Sequence, residues 1–380
     1  MIRRTHVPRL DWRDAVSEQG LIWHTIKGEP YWAEGTYYEF TMAEIEKIEA
    51  ATASLYDVFL EAGEYIVGHE HVMSQIGIPV SAHAAIRAAW EAEPPCLNYG
   101  RFDFGFDGTG VPKLFEFNCD TPTSLLEASV VQWTWKEDVF PDLDQFNSIH
   151  ETLVAKWRDI APLLTPGPVH FTHSCDEAGE DMVTVAYLRD TAEEAGIETK
   201  VLLIDDIGVD VLGRFLDQND EVISSIFKLY PWEWMVNEQF GSRALNQHTT
   251  LWMEPVWKML WSNKGILPIL KKVAPDNPYL LDASFQRPAG GRYVAKPFLS
   301  REGANITLVD EKHPTAETDG PYGEEGYVYQ EVYDLPQTAP GVYPVIGSWI
   351  VDGTPCGMGI REDGLITGNA ARFVPHVIKG

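Results

Sequence analysis

Long apolar runs are missing from this sequence. The longest are as short as Val201 to Ile204, far below the roughly 18–20 residues needed to cross a bilayer, so no membrane-spanning helix is expected. The start, Met1-Ile2-Arg3-Arg4-Thr5-His6, is basic but leads into no apolar segment, which argues against a secretory signal and for a cytoplasmic protein. Cysteine is scarce: Cys96, Cys119, Cys175 and Cys356 are widely spaced with no Cys-x-x-Cys, as expected of free thiols in a reducing compartment. There is no Walker A sequence and no Gly-x-Ser-x-Gly elbow, so any nucleotide site is not a P-loop and the serine-hydrolase pattern is excluded. Fixed-period repeats and low-complexity segments are also missing. Positive charge is in short supply: 29 Lys and Arg face 57 Asp and Glu, a net charge of −28. That balance disfavours nucleic acid and anionic membranes as partners. It suits a cationic substrate such as a polyamine, although solubility alone is reason enough for such a charge.

What is present is enough for a large fold. At 380 residues and 44% apolar content, the chain can bury a sizeable core, in two or three domains or one large α/β unit. Ile45, Ile48, Leu55, Val58 and Phe59 recur at helical spacing behind Thr41 and Glu44, a capping-box pair, which predicts a helix over Thr41 to Val67. A second helix is expected over Ser81 to Glu91, and others over Thr123 to Trp135, Asp144 to Ile160 and Asp181 to Ala195. Strands expected at Val169 to Thr172 and Lys200 to Ile204 alternate with these helices, an α/β signature. Trp232, Trp234, Trp252, Trp257 and Trp261 crowd the middle of the chain and read as core or interface anchors. From Arg292 onward the pattern is strand-rich.

The strongest local feature is a predicted hairpin, Asn98 to Phe106 and Lys113 to Asn118, joined by Asp107-Gly108-Thr109-Gly110. Arg101 and Asp103 share one face of the first strand, and Glu116 and Asn118 share one face of the second, because side chains alternate along a strand. If those faces agree, an arginine, two carboxylates and a carboxamide converge. Asp, Glu and Asn oxygens are hard ligands suited to Mg²⁺, and an adjacent arginine suits a transferring phosphoryl group. Phe102, Phe104, Phe115 and Phe117 would pack the other face. The plain alternative is a solvent-facing hairpin with a surface ion pair. Tyr293-Val294-Ala295-Lys296-Pro297 followed by Ser300-Arg301-Glu302-Gly303 is a lysine-bearing strand and a short turn, a pattern able to cover phosphates. Lys264, in Ser262-Asn263-Lys264-Gly265, is a second such lysine. Each also reads as an ordinary exposed lysine near a turn. His69 and His71, and His170, His173 and Cys175, lack the second pair that a structural zinc site requires.

Phe115-Glu116-Phe117-Asn118-Cys119-Asp120-Thr121-Pro122-Thr123-Ser124-Leu125, with Tyr99-Gly100-Arg101-Phe102-Asp103 upstream, resembles the metal-binding signature of the glutathionylspermidine synthase family. Further matches follow in order at Ser262 to Gly265, Ala295 to Pro297, Ser300 to Gly303, Gly347 to Ile350, Cys356 to Glu362 and Ala371 to His376. Each motif is short, but the ordered set, running from Arg4 to the C-terminus, is specific. The resemblance implies an α/β (α+β), ATP-grasp-like synthetase fold in which the metal segment precedes the nucleotide lysines. Residues 1–380 would form one synthetase unit, with about 262–335 as a nucleotide-binding lid. It implies an ATP- and Mg²⁺-dependent ligase joining a carboxylate to an amine through an acyl phosphate. Glutathione and spermidine are the family substrates, the same chemistry on another acid and amine is the alternative, and a non-catalytic nucleotide- or polyamine-binding homologue is the third reading. By the same resemblance, Asp103, Glu116 and Asn118 are Mg²⁺ ligands. Lys264, Lys296 and the turn at Gly303 hold phosphates, and Gln330, Glu331, Val332 and Tyr333 form the adenine hinge. Arg101 and Arg372 stabilise the transition state. Thr121, Thr123 and Ser124 border the acyl donor, and Glu180 and Asp181 border the amine. Bifunctional members carry an amidase domain before the synthetase part. This sequence starts at the synthetase part and is expected to lack the hydrolytic activity.

Overall fold

Thr41 opens the longest helix, Met42–Val67, with the full capping box: its side chain accepts from the Glu44 backbone N–H while the Glu44 carboxylate accepts from the Thr41 N–H. The buried stripe of that helix, including Ile48, Leu55 and Phe59, lies on a five-stranded antiparallel sheet. The order in this central sheet is Arg372–Val374, Thr354–Asp363, Tyr343–Val351, Tyr99–Gly105 and Lys113–Asn118. The predicted hairpin is therefore the sheet's far edge, and the C-terminal strands complete it. The structure, a computed structural model, describes residues 1–176, 178–310, 315–369 and 371–380.

Beside the central sheet stands a four-stranded parallel sheet, ordered Leu251–Met253, Ser225–Leu229, Val169–His173 and Thr199–Leu203. Its two inner strands are buried throughout, as expected where both faces are covered. A third, smaller antiparallel sheet runs Ala283–Ser284, Tyr327–Glu331, Tyr293–Pro297, Thr307–Val309 and Ala316–Glu317. Residues 311–314 of the segment expected to form a lid lie outside the described residues. Ile2–Thr5, Thr36–Phe40 and His376–Ile378 pair as a three-stranded sheet that ties the two ends of the described chain together.

Three expectations change in detail. The helix expected from Asp144 begins only at Ile149, because Asp144 and Asn147 form backbone bridges to Ile378 and Gly357 instead. Trp232, Trp252, Trp257 and Trp261 are buried, but Trp234 is 41% exposed and is no core anchor. The hairpin carries a β-bulge: Asp103 pairs with Glu116, but Phe104 pairs with Leu114, leaving Phe115 without a partner. The extra residue reverses the alternation, so Leu114 takes the core position and Phe115 turns to the opposite side.

Candidate active site

The hairpin register brings the predicted residues to one face. Arg101 lies opposite Asn118 and Asp103 opposite Glu116, while Phe102 and Phe117 stack on the other face with ring centroids 3.8 Å apart. The next strand presents Gly347 opposite Asp103, and the Arg101 side chain lies across it. A Cβ at Gly347 would sit 2.5 Å from Arg101 Cδ, so only glycine leaves room. Arg101 donates to Asp103 as a fork, Nε to Oδ1 at 2.7 Å and Nη2 to Oδ2 at 3.1 Å, and its Nη1 donates to the Thr123 carbonyl at 2.5 Å. Asn118 Nδ2 donates at 3.2 Å to both Asp103 Oδ2 and Glu116 Oε1. Two carboxylates and one carboxamide thus share a small volume. Rotating the Asn118 amide would bring its oxygen to the same place. This hard-oxygen set fits Mg²⁺, which takes one or two carboxylates and leaves positions for phosphate and water.

The lysines arrive from outside the hairpin. Asn263 caps the short turn Lys264–Ile266 by accepting from the Gly265 N–H at 2.7 Å, which fixes the Lys264 backbone. Lys264 Nζ then lies 3.0 Å from Glu116 Oε2 and donates to the Ser300 carbonyl at 2.6 Å. Lys296, on the small sheet, donates to Gln330 Oε1 at 2.6 Å and to the carbonyl of the bulged Phe115 at 3.1 Å. Gln330 Nε2 in turn donates to the Leu114 carbonyl at 2.9 Å, so the small sheet is bonded to the bulge on both sides. Burial pulls the Lys296 ammonium down to about 8, partly opposed by Glu116. Burial pushes the Glu116 carboxyl up, but Lys264 and Lys296 outweigh it and hold it well below the usual carboxylate range.

These groups line one cavity of about 210 Å³ between the central and small sheets. Gly303, Gln330, Glu331, Val332, Tyr333, Thr121 and Thr123 line it as well. Gly303 sits at φ +70° with the Thr367 carbonyl 2.4 Å from where a Cβ would stand. Ser124 is buried at φ +64° and does not line the cavity. Glu180 and Asp181 open the helix Glu180–Glu194 and also lie off the cavity lining. Burial together with Glu127, Asp181 and Glu302 pushes the Glu180 carboxyl up to about 8, partly opposed by Thr123 at the cavity edge. Burial, then Asp176, likewise raises Asp181.

Arg372 is not brought into the cavity. It pairs directly across from Glu362, one residue out of phase with Arg361, and its Nη2 donates to Glu362 Oε2 at 3.1 Å. Glu362 also accepts from Arg3 and from the Tyr38 hydroxyl, so Arg372 belongs to a cluster on the other face of the sheet. Arg361 occupies the site face instead, donating to Asp103 Oδ2 at 2.6 Å. A second unanticipated arginine is Arg301, which donates to Glu233 Oε1 at 2.8 Å and to Thr121 Oγ1 at 2.8 Å. Both arginines lie in stretches that the motif comparison marks, Cys356 to Glu362 and Ser300 to Gly303. Their strand parity and partners are tertiary facts that those stretches do not carry.

Comparison with known proteins gives the family of the chain. The family profile described as glutathionylspermidine synthase preATP-grasp matches residues 3–379. A Haemophilus influenzae protein provisionally named an acid–amine ligase is 40% identical over 371 residues, covering 92% of this chain and 91% of its own. Trypanothione synthetase of Crithidia fasciculata is 30% identical over 379 residues, covering 90% of this chain but 56% of the relative. The bifunctional glutathionylspermidine synthetase/amidase of Escherichia coli is 25% identical over 370 residues, 89% of this chain and 58% of the relative. The chain thus spans little more than half of these last two proteins. In fold, a glutathione synthetase-like effector from Globodera pallida superposes with a TM-score of 0.60 at 12% identity, over 97% of this chain and 96% of that one.

Proposed function

The chain belongs to the glutathionylspermidine synthase family of acid–amine ligases, and from that premise we propose that it joins a carboxylate to an amine at the expense of ATP, with glutathione and spermidine as the leading pair. One observation carries the reading. Asp103, Glu116, Asn118, Lys264, Lys296, Arg101 and Arg361 come from five separate segments and converge on one cavity. An ordinary surface hairpin would not recruit buried lysines from elsewhere in the chain.

Lys264 and Lys296 are placed to hold the β- and γ-phosphates, and Gln330 to Tyr333 to border the adenine. Mg²⁺ held by Asp103, Glu116 and Asn118 would neutralise phosphate charge. The substrate carboxylate attacks the γ-phosphorus, the bond to the β–γ bridging oxygen breaks, and ADP leaves. Arg101 and Arg361 flank Asp103 and face that transfer, where fixed positive charge is worth most. The amine, once neutral, attacks the acyl carbon and phosphate departs. Glu180 and Asp181 supply carboxyl groups on the amine side, and Glu180, pushed up to about 8 and so largely protonated at neutral pH, accepts a proton from the amine once a bound cation has favoured its carboxylate.

By this reading the small sheet covers the cavity as a lid, closing to keep water from the acyl phosphate. The test is ADP release with ATP and Mg²⁺ across a panel of acid–amine pairs, with mass spectrometry of the products. A glutathione–spermidine amide establishes the leading pair. A different amide mass establishes the ligase chemistry on another pair, which the name of the Haemophilus protein leaves open. No ADP and no new mass with any pair overturns the catalytic reading.

A further inference from the structure

A second cavity of about 430 Å³ adjoins the first, and Glu233, Ser262 and Leu299 line both. Four parts of the chain enclose it. Gly77 to Pro79 lead into the helix Val80–Ala92, and the helix Trp232–Met235 contributes Glu233 and Trp234. Met259, Ser262 and Asn263 come from around the helix Lys258–Trp261, and the lid gives Leu299, Tyr322 and Glu325. Its chemistry is one-sided. Carboxylates (Glu233, Glu325), carboxamides (Asn237, Asn263) and aromatic rings (Trp234, Tyr322) line it, and among the described residues no lysine or arginine does. Asn263 is held rigidly, donating to the Ile76 carbonyl at 2.7 Å. Carboxylates beside aromatic faces attract an ammonium group.

The wall between the cavities carries an ion pair that can be exchanged. Arg301 lines the first cavity and Glu233 faces both, and they meet at 2.8 Å with the Arg301 guanidinium carbon 5.5 Å from the centre of the Trp234 ring. Separating such a partly buried pair is costly unless each charge finds a new partner. An anionic group in the first cavity would take Arg301. That frees Glu233 for a cation in the second, and the exchange conserves charge.

We propose that the second cavity binds an alkylammonium group of a substrate while the first holds the reacting carboxylate, a reading that rests on the proposed ligase function. Two sources carry that chemistry: the free N-terminal ammonium of a peptide acyl donor, and an ammonium remote from the reacting amine on a polyamine acceptor. Isothermal titration calorimetry of the full chain separates them. The probes are glutathione, N-acetylglutathione and spermidine, and the variants are Glu325→Gln and Trp234→Ala, each checked by thermal melting. Each substitution is expected to weaken the probe that uses the cavity by about fivefold or more and leave the other unchanged. If the peptide ammonium is the ligand, N-acetylglutathione binds the wild type weakly and no longer distinguishes the variants. If the polyamine is the ligand, only spermidine is affected. Wild-type affinity of both variants for glutathione and spermidine overturns the proposal, as does failure of both probes to bind the wild-type chain. Amide formation measured in parallel keeps the two readings apart: ligation by both variants at unchanged KM values sinks the ammonium site and leaves the ligase standing.

Discussion

Arg361 reaches past a whole strand to Asp103: the two lie on strands separated by Tyr343–Val351, yet the guanidinium donates to the carboxylate at 2.6 Å. Asp103 is thereby flanked by two guanidiniums, Arg101 and Arg361, both lining the cavity, and Arg361 is the more exposed of the two. Replacing Arg361 by Lys keeps the charge but loses the planar fork, so kcat is expected to fall by about 10²-fold or more. Arg372→Lys, on the opposite face, is expected to change kcat by less than about tenfold. Steady-state kinetics of the two variants checks this; equal losses would count against placing Arg361 rather than Arg372 at the transferring group.

How much of this could be read beforehand follows from the same strands. Alternation along Tyr99 to Asp103 and Glu116 to Asn118 has a period of two, and that period alone sorts Arg101, Asp103, Glu116 and Asn118 from Phe102 and Phe117. Phe115 escaped because one bulged residue shifts the phase without altering the local composition. Arg361 and Arg372 could not be separated, since each sits in a strand and only the pairing of Glu362 with Arg372 decides which of them faces Asp103. Glu233 carries no signal of its own, as its role depends on Arg301, 68 residues away in the chain.

Lys296 gives a pH prediction. Its ammonium is pulled down to about 8 by burial, so it is cationic below that pH and neutral above it. Phosphate binding needs the cation. The plot of kcat/KM for ATP, which reports the free enzyme, is therefore expected to fall as pH rises through about 8. Lys296→Arg, charged throughout, should lower the whole profile and remove that fall. A wild-type profile flat from pH 7 to 9 would contradict the assignment.

Gly303 tests the lid. With φ at +70° and the Thr367 carbonyl 2.4 Å from the position of a Cβ, Gly303→Ala cannot keep the present approach of the lid turn to the 365–367 loop. The turn must move outward, raising KM for ATP by about tenfold and exposing residues 300–305 to faster proteolysis. The reason is local, so thermal stability is expected to fall by no more than about 1–2 kcal/mol. Unchanged KM with unchanged proteolysis would show that the turn does not close on the nucleotide.

Glu180 links pH to stability. Its carboxyl is pushed up to about 8 by burial and by Glu127, Asp181 and Glu302, against an ordinary value near 4.3 in the unfolded chain. The folded protein therefore holds a proton that the unfolded chain releases, and this group's stabilising contribution is present below about pH 4 and lost as pH rises through about 8. Glu180→Gln is uncharged at every pH and escapes that loss. Its melting temperature relative to wild type should rise between pH 5 and pH 8.5, by about 1–3 °C. A cationic amine beside Glu180 favours the carboxylate, so saturating spermidine should narrow the difference between variant and wild type at pH 8.5, with proton release on binding to the wild type seen as a buffer-dependent binding enthalpy. A melting difference constant across that range would mean that Glu180 is already ionised at pH 5, and the amine would then have to be sought at another carboxylate.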